Sequence, residues 1–210
     1  MSDKYAAEAE GWSERAYADS QTYLRRRAEL IARGLAHGDT VLDLACGDGG
    51  VAEQLLGRGL RYVGVDASDA MVAAARARLG ERARIERADL NDFDPGEEVA
   101  ATSVFRAIYY ARDHDSFFRR VASYTRTKLV FDLNPRQYDV EEMVSRVRAA
   151  GFERIELRPF FVPQQHALPL PLATIARGVE RVGPLARLAL RYRFTYVVSA
   201  FKPEASSPGP

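Results

Sequence analysis

The chain reads as an α/β protein with a doubly wound, mostly parallel sheet, on three observations. Short apolar runs of strand character alternate with helical patterns along most of its length, the order that yields a parallel sheet covered on both faces. The first run feeds a glycine-rich turn, Thr-Val-Leu-Asp-Leu-Ala-Cys-Gly-Asp-Gly-Gly over residues 40–50. Carboxylates then stand at the tips of three successive runs, at Asp43, Asp66 and Asp89.

The elements follow in order. Residues 1–36 precede the first strand and carry Tyr5, Trp12, Tyr17 and Tyr23, with Leu24, Leu30 and Ile31 further on. Such aromatics anchor a segment to a sheet by burying large apolar areas. After the glycine turn, residues 62–66 read as a buried strand, and Ser68-Asp69 caps an alanine-rich helix to about Leu79. Residues 84–89 give a third strand and 99–105 a fourth. A helix follows near 115–124, then a fifth strand over 128–133. Asp139 and Glu142 form a capping-box pair for a helix whose Val140, Met143, Val144 and Val147 share one face before Gly151 stops it. Residues 154–158 give strand six and 194–201 the last strand.

The stretch 160–193 between the last two strands is far longer than a hairpin needs. Pro163, Pro169 and Pro171 mark an extended entry, and Leu172, Ile175, Val179 and Val182 then fall on one helical stripe. Gly183-Pro184 breaks that helix and starts another, in which Leu185, Leu188, Ala189 and Tyr192 align.

Composition bounds the function. A chain of 210 residues with 47% hydrophobic content suits one substantial core and is short for two. Residues 1–202 are therefore expected to form a single domain, with a disordered tail over 203–210. A net charge of +1 gives no global field for nucleic acid. Cys46 is the sole cysteine, which excludes an intramolecular disulfide and offers no metal cluster. Acidic residues at Asp3, Glu8, Glu10 and Glu14 rule out a signal peptide, and no run of about 18 apolar residues spans a membrane, so a cytoplasmic location is expected.

The glycine turn points to a ligand. Gly47 and Gly49 permit close approach to the backbone, and the amides they expose open a helix. Gly47, Gly49 and Ala52 match the G-x-G-x-x-A of dinucleotide-binding turns, and Asp66 lies 17 residues past Gly49, where a ribose-binding acid is expected. An NAD-dependent oxidoreductase is thus one reading. Asp43 would repel a pyrophosphate, however, whereas a ligand bearing an ammonium and a sulfonium gains from it. S-adenosylmethionine is such a ligand. Each acid also has a plainer reading, as the cap of the helix that follows it.

In these residues the chain resembles the class I S-adenosylmethionine-dependent methyltransferases, whose first motif, acid-x-Gly-x-Gly-x-Gly, reads here Asp43, Ala45, Gly47, Gly49. Ala45 replaces the first glycine and, being small, still allows close approach. The resemblance covers roughly residues 38–158. It implies a Rossmann-like, seven-stranded sheet with an antiparallel last strand beside strands five and six. It also implies an N-terminal helical lid over 1–36 and a helical insertion shaping the acceptor pocket over 160–193. The cofactor set it implies is Asp43, Ala45, Cys46, Gly47, Gly49, Asp66, Ala67, Met71, Asp89, Leu90, Phe105 and Tyr17, with Asp66 on the ribose hydroxyls and Asp89 on the adenine amino group. Cys46 has the alternative role of a small side chain filling space.

Methyl transfer from a sulfonium asks chiefly for positioning and exclusion of water, so the donor is more legible than the acceptor. Acceptor candidates are Trp12 on the lid, with Arg106, Tyr109, Tyr110, Asn134 and Arg136 where strands four and five open into the crevice. Arg106 and Arg136 suit an acidic acceptor, or are surface arginines. A general base is needed only for a hydroxyl or protonated amine. His114 is the one candidate whose ordinary pKa suits that role; its alternative is a solvated histidine at a helix start. Leu133-Asn134-Pro135-Arg136 lacks the second proline and the aromatic of the motif used on nucleobases or glutamine, so those acceptors are disfavoured. The likeness is to small-molecule methyltransferases acting on quinones, sugars and natural products, which favours O-methylation and leaves a non-catalytic S-adenosylmethionine-binding protein as the alternative. Residues 167–193 hold five arginines against one glutamate, a balance of +4. This amphipathic, basic character suits peripheral contact with an anionic membrane or a lipid-linked acceptor, or else a helical cap on the sheet.

Overall fold

The computed structural model of the protein describes residues 9–16, 18–160, 169–181, 188 and 195–203. Seven strands, β1 (Thr40–Leu44), β2 (Arg61–Asp66), β3 (Arg84–Arg87), β4 (Val99–Val104), β5 (Thr125–Leu133), β6 (Arg154–Phe160) and β7 (Thr195–Phe201), form one sheet. Their order is β3-β2-β1-β4-β5-β7-β6, with β7 antiparallel to both of its neighbours and the other pairings parallel. This is the expected seven-stranded architecture. The chain leaves β1 toward one edge and returns to β4 on the other side. A crevice is thereby left at the carboxyl ends of β1 and β4, the switch point at which open α/β sheets bind ligands.

Among the described residues, seven α-helices accompany the sheet: α1 (Trp12–Arg15), α2 (Ser20–Ala32), α3 (Gly50–Leu56), α4 (Asp69–Leu79), α5 (His114–Tyr124), α6 (Val140–Ala149) and α7 (Leu170–Arg181). Side-chain caps start four of them, with Asp19, Ser68, Asp113 and Asp139 each accepting an amide N–H two or three residues into the helix. The strands' alternation sends side chains to two cores. Tyr23, Leu24, Ala28 and Ile31 of α2 pack with Val51 and Leu55 of α3, Val72 and Leu79 of α4, and Val41 and Tyr62 of the sheet. On the opposite face, Phe117, Phe118 and Val121 of α5 and Met143 and Val147 of α6 cover Leu42, Leu44, Val63 and Phe131.

Several expected boundaries move. β3 ends at Arg87, so Asp89 lies two residues past the strand, in a turn that its own carboxylate organises by accepting the Asn91 amide at 2.8 Å. β4 likewise closes at Val104, which frees Phe105 and Arg106 for the crevice. β5 begins at Thr125 instead of 128. The chain passes from α5 straight into the sheet there, and the Thr125 hydroxyl meets that of Thr102 at 2.6 Å inside the core. β6 runs on to Phe160, with Pro159 tolerated because β6 is an edge strand.

The insertion's first helix is present as α7, but Leu170, Leu172 and Ile175 are 79%, 53% and 62% exposed rather than packed. Its second helix, apart from Leu188, lies outside the described residues, as do Val182, Tyr17 and the tail from 204. Among the described residues, no helix is long and apolar enough to cross a membrane.

Candidate functional site

A cleft of about 770 Å³ opens at the switch point, within the range of small-molecule sites. Its floor is the turn after β1. Ala45 at φ +61° and Gly47 at φ +59° bend the backbone through the left-handed region, so the turn presents peptide groups rather than side chains. Ala45 carries there a conformation that L-residues with a Cβ disfavour. Gly49, at φ +75°, does not line the cleft. It caps α3, and a Cβ on it would press to 2.9 Å from Leu79 Cδ1, so its glycine serves the packing of α3 against α4.

Asp43 is buried in the cleft wall, and both of its oxygens are already engaged. Ser103 Oγ donates to Oδ1 at 2.6 Å and Tyr62 Oη to Oδ2 at 2.7 Å. These partners arrive through register, since Asp43 stands beside Gly64 of β2 and Ser103 of β4. Burial pushes the Asp43 pKa up, while the Ser103 and Tyr62 hydroxyls and the charge of Arg27 pull it back. Its hydroxyl partners on β2 and β4 fix its orientation, and its action on a ligand is through charge at short range. Cys46 is buried beside it, its thiol pKa raised well above the ordinary value by burial and by Asp43 and Asp66. A Cβ on Gly64 would lie 2.9 Å from Cys46 Sγ, which fits the space-filling role.

Asp66 ends β2 on the rim of the same floor. The Gly47 amide donates to its Oδ2 and the Ser68 amide to its Oδ1, each at 2.9 Å, so two backbone groups fix the carboxylate's orientation. Burial raises its pKa against these donors. Each oxygen keeps a lone pair, enough to accept from a vicinal diol. Asp89, with Leu90, lines the far end. Its Oδ1 accepts from Asn91 and its Oδ2 from Arg112 Nη2 at 2.7 Å. Burial alone would raise its pKa, but Asn91 and Arg112 together outweigh it and hold the carboxyl below the ordinary value. Ala67 and Met71 line the stretch between these acids.

The other half of the cleft is aromatic and cationic. Trp12, Phe105, Arg106, Tyr109 and Tyr110 all line it. The tyrosine rings meet at 4.4 Å between centroids, tilted by 50°, on the rim, about half exposed. Arg106, at φ +53°, is held through its amide by Asp132 Oδ1 at 2.6 Å. Asn134, Arg136 and His114 do not reach the cleft. Asn134 turns its side chain back to accept the Arg136 amide at 3.0 Å, closing the turn after β5, and Arg136 points into solvent. His114 starts α5 and packs on Phe118 and Tyr138.

Sequence reasoning missed Leu24 and Arg27 of α2, which line the same half. Arg27 is buried with its guanidinium 4.3 and 4.2 Å from the Tyr23 and Phe105 ring centres, and it donates to Tyr23 Oη at 2.7 Å. The i,i+4 spacing of Tyr23 and Arg27 was the available signal.

Residues 41–128, from β1 into β5, match the family model described as a methyltransferase domain. Over these residues, less than half of its length, the chain is similar to methyltransferase domains. An uncharacterized methyltransferase of Schizosaccharomyces pombe is 36% identical over 67 residues, a region spanning 31% of this chain and 26% of that protein. The chain thus covers about a quarter of that relative's length. A methyltransferase from Haloferax volcanii, solved in complex with the Trm112 activator, superposes with a TM-score of 0.70 at 21% identity, covering 96% of this chain and 97% of that one. The [4+2]-cyclase SpnF superposes with a TM-score of 0.64 at 21% identity, covering 90% and 84%. At these identities the structural likenesses speak for the fold alone. The cyclase among them shows that the fold by itself does not fix the reaction.

Proposed function

We propose that the protein transfers a methyl group from S-adenosylmethionine to a small-molecule acceptor, with oxygen as the favoured acceptor atom. The observation that carries this reading is the Asp66 carboxylate, held by the Gly47 and Ser68 amides beside the turn at Ala45 and Gly47. Asp66 would take the ribose hydroxyls, Asp89 and Leu90 the adenine, and the turn at Ala45 and Gly47, above the buried charge of Asp43, the methionine end. Bound S-adenosylmethionine supplies an activated methyl group on a sulfonium. The protein's share is then to exclude water and hold the acceptor in line. A pyrophosphate cofactor fits worse, since it would lie over the charge of Asp43.

For the acceptor, Trp12, Phe105, Tyr109 and Tyr110 offer aromatic faces and Arg27 and Arg106 offer positive charge. That combination suits a flat acceptor with an anionic substituent. Among the described residues no histidine lines the cleft, and an acceptor hydroxyl that ionises readily is the match for those present. The test is release of S-adenosylhomocysteine from S-adenosylmethionine across a panel of phenols, hydroxy acids and amines. Turnover on acidic phenols supports the reading, and binding of the cofactor without turnover on any class favours the non-catalytic alternative.

A second reading rests on α7, whose exposed Leu170, Leu172 and Ile175 follow the pocket-side end of β6. In it, residues 167–193 touch an anionic membrane and the acceptor is lipid-linked. Co-sedimentation with anionic vesicles is expected to fall in the Leu172→Ser/Ile175→Ser variant, and an equal, lipid-independent pellet for both proteins would contradict it.

A further inference from the structure

Helix α1 is one turn long, too short to be stable without tertiary contacts. Gly11 before it is at φ +65° and provides no side-chain cap. What holds it is the cofactor turn. The backbone amide of Ser13 donates to Asp48 Oδ2 at 3.0 Å, and the Ser13 hydroxyl donates to Asp48 Oδ1. Asp48 lies between Gly47 and Gly49, is 1% exposed, and receives Arg78 Nη2 of α4 at 2.9 Å on the same Oδ2. Arg78 also grips Glu14 with both terminal nitrogens, at 2.6 and 2.8 Å, which holds the Glu14 carboxyl below its ordinary pKa.

Gly50 gives a second, independent sign of a built seat. A Cβ there would overlap Ser13 Oγ and Cβ and would press within 3.3 Å of Leu24 Cδ1. Gly50 opens α3 with no positive φ, so its own backbone has no need of glycine. The missing side chain serves Ser13. Beside Ser13, Trp12 stands over the turn, with its Cδ1 4.0 Å from where a Cβ on Gly47 would be.

We propose that Ser13, Asp48, Gly50 and Arg78 form a seat that holds Trp12 as a lid over the cofactor turn, so that lid closure and cofactor binding are coupled through Asp48. These are positioning residues, and the coupling rests on the S-adenosylmethionine reading given above. A ligand that orders the turn orders the seat, and a seated lid retains the ligand.

The experiment uses Gly50→Ala in the full chain. Alanine is a better helix former than glycine, so the main structural cost is eviction of Ser13, with a slight shift of Leu24 Cδ1 beside it. Trp12 is the sole tryptophan, so its emission reports the seat without any ligand. The expected result for Gly50→Ala is red-shifted emission, greater acrylamide quenching, and S-adenosylhomocysteine binding at least tenfold weaker through faster dissociation. The Ser13→Gly/Gly50→Ala double variant, which removes the clash and keeps the backbone amide of position 13 on Asp48 but loses the hydroxyl, is expected to regain part of that affinity. Arg78→Met is expected to resemble Gly50→Ala.

Wild-type emission and quenching in Gly50→Ala would overturn the seat. A shifted emission with unchanged affinity would overturn the coupling, as would a double variant no better than the single one. A wild-type protein that binds no S-adenosylhomocysteine overturns the cofactor reading and the coupling with it, while the emission of the free variants still decides the seat.

Discussion

Ala45 carries the one departure from the glycine motif and sits at φ +61°. A Cβ in that region costs on the order of 1 kcal/mol, partly offset by the extra freedom glycine has when unfolded. Ala45→Gly is therefore expected to raise stability by up to about 1 kcal/mol with cofactor affinity unchanged, whereas Ala45→Val lowers both, because a β-branched side chain fits this region worst. Urea unfolding and calorimetric titration of the two variants check this. The acids were legible because each ends an apolar run, a pattern local in sequence. Their partners were not. Ser103 and Tyr62 reach Asp43 only through strand register, and Arg78 reaches Asp48 across 30 positions. Asp89 was read as a strand end, yet its Asx turn and its pairing with Arg112 depend on a loop that closes back over it.

Helix α2 is joined to the sheet by a buried cation. Lys128 of β5 is 1% exposed, and its ammonium donates to the carbonyls of Leu30, at 2.9 Å, and Arg33, the groups left unpaired where α2 ends. Burial, reinforced by the charge of Arg33, lowers its pKa from 10.5 to about 8. The folded protein thus loses this proton near pH 8 while the unfolded chain keeps it to about 10.4. The unfolded state binds more protons in that window, so this group's contribution to stability rises with pH between about 8 and 10. The stability of the wild type relative to Lys128→Met is expected to climb over that range in denaturant titrations; a difference constant with pH would contradict it. No pattern in the sequence marked Lys128, since an isolated lysine in a strand reads as an edge or surface position. Helix α7 shows the converse, a stripe that periodicity identifies correctly while leaving unsaid whether anything covers it.

The alternation of strands and helices and the punctuation of the helices were largely present in the apolar runs and caps, because those signals are local and repeated, whereas the antiparallel place of the last strand came from the family resemblance. The cleft is where sequence reasoning gave a partial answer, since it is assembled from α1, α2 and the ends of four strands. A ligand that binds only the folded cleft stabilises the entire protein. S-adenosylhomocysteine at 100 times its dissociation constant is expected to add about 2.7 kcal/mol and raise Tm by roughly 5–10 °C for a chain of this size. Thermal scans with and without ligand check this, and an unchanged Tm would count against binding to the native state.

The most direct test is calorimetric titration with S-adenosylhomocysteine and, separately, with NAD, on the wild type and on Asp66→Ala. The structure predicts micromolar binding of S-adenosylhomocysteine, about 10- to 100-fold weaker in the variant as a charged hydrogen-bonding group is lost, and no binding of NAD. Binding of NAD, or S-adenosylhomocysteine affinity indifferent to Asp66, would contradict the assignment of the cleft.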